Sequence, residues 1–179
     1  DDAADALDQA LDLDAELAEG QQLRGLLAER RNDEAAALAA FAEARRLEPE
    51  RFPEPYEMDE DEFLDVAQQV VGELDDGLRE LLEETAIFVQ AVPTEELLRG
   101  SDPPMDPQLL GLFLGRSLLE HSVQDSGTLP NTIYLFQRNL ERVAGNREDL
   151  EREIRITVLH EIGHHLGWDE EELEARGLA

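Results

Sequence analysis

The chain has 179 residues, enough for one domain with a sizeable core or for one domain with a helical appendage. It carries 44 acidic against 15 basic residues, a formal net charge of -29, and a surface this negative repels phosphate backbones and anionic lipid, which argues against nucleic-acid and membrane partners. Without Cys, neither a disulfide framework nor a thiolate metal site can form, so any metal must be held by His, Asp or Glu.

Residues 1–50 are rich in Ala and Leu, nearly free of Gly and Pro, and poor in β-branched residues, a composition that favours helix. Gly25, Ala37, Phe41, Ala44 and Pro49 fall at the small, aromatic and terminating positions of a tetratricopeptide repeat. This resembles one complete repeat over residues 18–51, preceded by the second helix of another; a plain helical hairpin is the alternative. Such repeats bury their faces by stacking, so this segment is expected to lean on the next domain, to belong to a longer array, or to recruit a protein partner.

Residues 51–57 carry two Pro and read as a linker. Asp59 then caps an amphipathic helix through Phe63, Val66, Val70 and Val71. A second helix is expected over 75–84. At Thr85 the period changes. Residues 85–92 are β-rich and closed by Pro93, and 109–115 and 132–137 are further strand candidates. The Gly-, Ser- and Pro-bearing stretch 116–131, which contains His121, is long for a connector and reads as a loop that shapes a cleft.

The last long helix is the best-marked element. Asn146 is a good N-cap, Glu148 and Asp149 suit the first turn, and Leu150, Ile154, Val158, Ile162 and Leu166 recur every four residues as an apolar stripe. Gly167 sits where a glycine ends a helix and turns the chain back.

Within that helix, His160 and His164 are one turn apart, so both imidazoles point the same way and can grip a zinc ion. Glu161 lies beside the metal position, where a carboxylate can take a proton from an activated water. Zinc needs a third protein ligand. The helix cannot supply it, but the reversal at Gly167 lets Asp169 or Glu170 return to the metal. His165 points away from the pair and reads as structural or supporting, and Trp168 reads as helix-end packing.

The run His160-Glu-Ile-Gly-His164-His-Leu-Gly167-Trp-Asp-Glu170 resembles the bacterial minimal zincins, whose motif is H-E-x-x-H-x-x-G-x-x-D. The resemblance covers residues 58–179. It implies zinc peptidase activity, with His160 and His164 as ligands and Glu161 as general base. The family's third-ligand Asp falls on Glu170, a departure in residue type. Asp169 fits equally as the N-cap of a short terminal helix over 170–175.

The expected architecture is α+β: a zincin-like small three-stranded mixed sheet with helices over 58–179, plus the tetratricopeptide-like helical hairpin over 1–50. The substrate is expected to be a peptide or protein, drawn from a restricted range and laid extended along strand 132–137. Nine residues follow Glu170, so an oxyanion donor is sought upstream, among Tyr134, Arg138 and Arg142. The alternative function is a protein-interaction module with a structural or inactive zinc site. The absence of Cys and of a visible export segment favours a cytoplasmic location.

Overall fold

The structure is a computed structural model that describes residues 2–83, 85–115 and 131–178, apart from the side chains of Asp2, Ala3, Leu81 and Glu170. The expected loop 116–131, with His121, thus lies outside the described residues except for Asn131. Two units divide the chain, Asp1–Glu54 and Pro55–Ala179.

The first unit is helical: α1 (Asp2–Leu13), α2 (Ala18–Arg30) and α3 (Glu34–Leu47). Asp33 caps α3 by accepting from the Ala36 amide at 3.1 Å. Asn32, at φ 57°, takes the left-handed conformation that Asn tolerates and so lets the chain reverse between α2 and α3. These two helices approach closely because Gly25 lacks a side chain; a Cβ there would meet the Phe41 ring at 2.4 Å. Ala37, Ala40 and Ala44 are buried along α3.

The second unit contains α4 (Glu60–Gly72), α5 (Asp76–Leu81), β1 (Ala86–Gln90), α6 (Glu95–Leu98), β2 (Gly111–Leu114) and β3 (Thr132–Phe136). There follow α7 (Gln137–Val143), α8 (Arg147–Leu166) and α9 (Glu170–Ala175). Asp59 caps α4 as expected, accepting from the Asp61 amide at 3.0 Å. The sheet order among the described residues is β1-β3-β2, with β1 parallel and β2 antiparallel to β3. The fold is α+β with a small mixed sheet.

This order corrects one expectation. Strand β3 is central, with both of its edges already paired, so it has no edge left to receive a peptide. Closeness in sequence to the last helices suggested β3, but pairing partners distant in the chain decide which strand is the edge. Among the described residues the two edges are β1 and β2, and β2 lies beside α8.

One face of the sheet packs on α4 and α8. Ile133 and Leu135 join Phe63, Ala67 and Val70 of α4 and Leu150, Ile154, Val158 and Ile162 of α8 in a single buried cluster. The stripe read from α8 is therefore its core face, with Leu166 partly buried at its end. Residues of the other parity point to the opposite face, where Phe88 and Tyr134 stack with ring centroids 5.9 Å apart.

Side-chain amides and carboxylates tie the connecting segments to this core. Asn139 of α7 donates to the Pro107 and Leu109 carbonyls at 3.1 and 2.8 Å, holding the segment that enters β2. The buried Glu141 accepts from the Met58 amide at 3.0 Å and from Gln137. At the surface, Arg155 of α8 and Gln69 of α4 hold the carboxyl of Glu73, the residue that ends α4, below its usual range. That contact stabilises the fold above the ordinary carboxylate pKa and is lost as pH falls through the lowered one; full exposure keeps its effect small. Among the described residues no helix is long and apolar enough to cross a membrane.

Candidate metal centre

The geometry of the centre comes from α8. Asn146 caps the helix by accepting from the Asp149 amide at 3.0 Å. At the other end, Gly167 adopts φ 87°, and the Trp168 amide closes back on the Gly163 carbonyl at 2.9 Å. A side chain other than glycine is strained in that conformation, so Gly167 fixes where the chain leaves α8.

One turn of helix brings His160 and His164 together. Their rings stand edge-on at 81°, with centroids 4.6 Å apart. Their Nε2 atoms face each other at 2.9 Å. His160 Nδ1 lies 2.6 Å from the Leu178 carbonyl, an acceptor only, so Nδ1 donates to it and Nε2 is the nitrogen turned toward His164. A metal-ligating imidazole needs this arrangement, one nitrogen on the metal and the other donating to an oxygen. A tetrahedral ion about 2.0–2.1 Å from each nitrogen needs them about 3.3 Å apart, a few tenths of an ångström wider than observed. Small side-chain rotations open that gap. Two imidazole nitrogens are donors of the kind zinc takes, while among the described residues no group of three His, Asp or Glu side chains gathers as a metal-holding cluster.

Glu161 lies beside the pair and is buried, 5% exposed. Its Oε2 accepts from the Phe113 amide of β2 at 2.7 Å. Because that amide is turned to Glu161, it is directed away from β3, off the outer edge of the strand. Gly111 makes the approach possible: a Cβ there would meet Thr157 Cγ2 at 2.6 Å and Glu161 Oε1 at 2.9 Å. Gly111→Ala is expected to push β2 from α8, lowering stability by about 1–3 kcal/mol in denaturant unfolding.

Asp169 takes the cap role. Its Oδ1 accepts from the Glu172 amide at 2.9 Å and Glu172 reaches back to the Asp169 amide, a capping box that opens α9. Glu170 is the first residue of α9, directly after the reversal, and its side chain lies outside the described residues. His165 is fully buried with its ring 5.0 Å from that of Phe113, facing the sheet rather than the imidazole pair. Trp168 packs at the helix end beside Gly163, under the Arg176 guanidinium at 4.1 Å.

The proposed oxyanion donors fare unevenly. Tyr134 stacks on Phe88 and Phe136, on the sheet face opposite α8. Arg142 donates to Asn139 at 2.9 Å, and the Arg138 amide donates to the Ala91 carbonyl at 3.0 Å. None of these contacts brings a donor to Glu161.

Three contributors escaped the sequence reading: Gly111, Gly163 and the Leu178 carbonyl. A glycine inside a strand or a helix signals close approach of another segment, and both glycines carried that signal. A backbone carbonyl carries none.

The family model for zincin-like metallopeptidases matches residues 82–178, more than half of the chain and all of α8 and α9. The chain belongs to the zincin-like metallopeptidase family. The match lies within the second unit and leaves the helices of the first outside it. Compared with the curated proteins, the chain matches none. Membership carries with it a general expectation of zinc-dependent proteolysis.

Proposed function

We propose that the protein is a zinc-dependent peptidase of restricted substrate range, with His160, His164 and Glu170 as metal ligands and Glu161 as general base. The observation that carries this reading is the convergence of the two Nε2 atoms at 2.9 Å, with the His160 Nδ1 proton directed to the Leu178 carbonyl. Asp169 is engaged by its capping box, which favours Glu170 as the third ligand. Zinc held there would supply Lewis acidity, acidifying a water to a pKa of about 7 and polarising the scissile carbonyl.

The remaining chemistry belongs to the chain. Glu161 takes the proton from the attacking water and returns it to the departing amine, and its burial keeps bulk water from competing for that carboxylate. The Phe113 amide holds Oε2 and so orients the carboxyl group. An extended peptide lies along the outer edge of β2, next to Glu161, and pairs with main-chain groups other than the Phe113 amide, which Glu161 holds.

Metal removal tests the proposal. Purified protein is expected to hydrolyse an unstructured peptide library, to lose that activity on treatment with 1,10-phenanthroline, and to regain it with one equivalent of zinc. Hydrolysis that persists in metal-free protein overturns it.

A further inference from the structure

The segment that follows α9 closes on α8 through a chain of contacts. Leu173 of α9 is fully buried, and its Cδ2 fills the place of the missing Cβ at Gly163, 2.4 Å from where that atom would stand. After α9 the chain turns at Gly177, φ 71°, with the Leu178 amide donating to the Leu173 carbonyl at 3.0 Å and the Gly177 amide to the Glu174 carbonyl at 2.9 Å. Two short bonds of this kind, closed by a left-handed glycine, make a Schellman-type stop. The turn delivers the Leu178 carbonyl to His160 Nδ1 at 2.6 Å.

We infer that the Gly177–Leu178 turn is a positioning element of the metal centre, which sets the tautomer and ring orientation of His160 through the Leu178 carbonyl. The inference rests on the zinc reading of His160 and His164 given above. Its physical basis is independent of the ion. A neutral imidazole has one proton for two nitrogens, and a carbonyl beside Nδ1 draws it there, leaving the Nε2 lone pair directed at His164. Outer partners of this kind typically carry about 10–100-fold in metal affinity. Because Glu170 opens α9 and Leu178 follows it, one short helix both starts at the expected third ligand and ends on the partner of the first. The Leu173–Gly163 contact fixes that helix on α8.

Gly177 gives access to the turn without touching the site, since a Cβ there would meet nothing within 4 Å. A β-branched residue is an outlier at this φ, whereas Asn tolerates it. The experiment compares the full chain with its Gly177→Val and Gly177→Asn variants. Zinc affinity is read by competition with a chromophoric chelator, and the His160 tautomer by nitrogen-15 NMR of metal-free protein. Gly177→Val is expected to weaken zinc binding by about 10–100-fold and to shift the His160 proton from Nδ1 to an exchanging mixture. Gly177→Asn is expected to restore both. Gly177→Ala serves as the milder substitution if the valine variant fails to fold.

Unchanged affinity and tautomer in a folded valine or alanine variant overturns the inference. If the parent protein binds no zinc, the functional reading fails while the tautomer still decides: an Nδ1 proton in the parent, lost in the valine variant, upholds the turn's role. An Nε2 proton in the parent refutes it.

Discussion

Glu161→Gln is expected to leave zinc affinity unchanged and to slow peptide hydrolysis by about 10²–10⁴-fold, the range that a positioned general base contributes. Gln is nearly isosteric with Glu and its amide oxygen can still accept from the Phe113 amide, which Glu161 Oε2 engages at 2.7 Å. The contact that orients the side chain therefore survives while its basicity is lost. The variant keeps the size and shape of a side chain only 5% exposed, so the fold is expected to be retained. Stopped assays with a fluorogenic peptide, beside zinc analysis of the same samples, check both halves. Full activity in the variant removes Glu161 from the mechanism. Stoichiometric zinc without turnover in the parent protein itself favours the alternative in which the metal is structural and the N-terminal helices recruit a partner.

The second large effect concerns binding. His164→Ala is expected to weaken zinc by more than the 10–100-fold that outer partners typically carry, since it deletes one of the two nitrogens that define the site. The loss is legible in stability. A ligand bound only by the folded state raises stability by about 4 kcal/mol at a thousand times its Kd, so excess zinc should raise the Tm of the parent strongly. For His164→Ala that zinc-dependent rise should vanish, with the metal-free Tm little changed because His164 is only half-buried. A rise equal to that of the parent places the metal elsewhere.

The parts of this centre that were readable from the sequence are those set by local rules. One helical turn separates His160 from His164, so their convergence follows from the helix itself once Asn146 starts it and Gly167 ends it. The caps at Asp59, Asn146 and Asp169 were legible for the same reason: each is a short polar side chain bonding an amide two or three residues on. The strands were also placed closely, with 85–92 observed as Ala86–Gln90 and 132–137 as Thr132–Phe136, because their β-branched and aromatic runs are local signals.

What stayed hidden depends on segments far apart in the chain. Hydrophobic pattern says which residues form a strand but not which neighbour it takes, so β3 was read as an edge when it is the centre. The Phe113–Glu161 contact joins residues 48 apart, and its requirement for glycine at 111 is a steric fact of that meeting. The Leu178 carbonyl was invisible for a plainer reason: every residue has one, and only the folded chain says which is aimed at His160.

The central claim, that the two imidazoles on α8 hold zinc, is tested most directly by anomalous diffraction at the zinc edge from crystals of the zinc-loaded protein. The account predicts one anomalous peak between His160 Nε2 and His164 Nε2, about 2.0–2.1 Å from each, with a carboxylate oxygen of the segment after Gly167 as a third ligand. A peak at another site, or loaded crystals in which the two nitrogens still face each other with no peak between them, would contradict it.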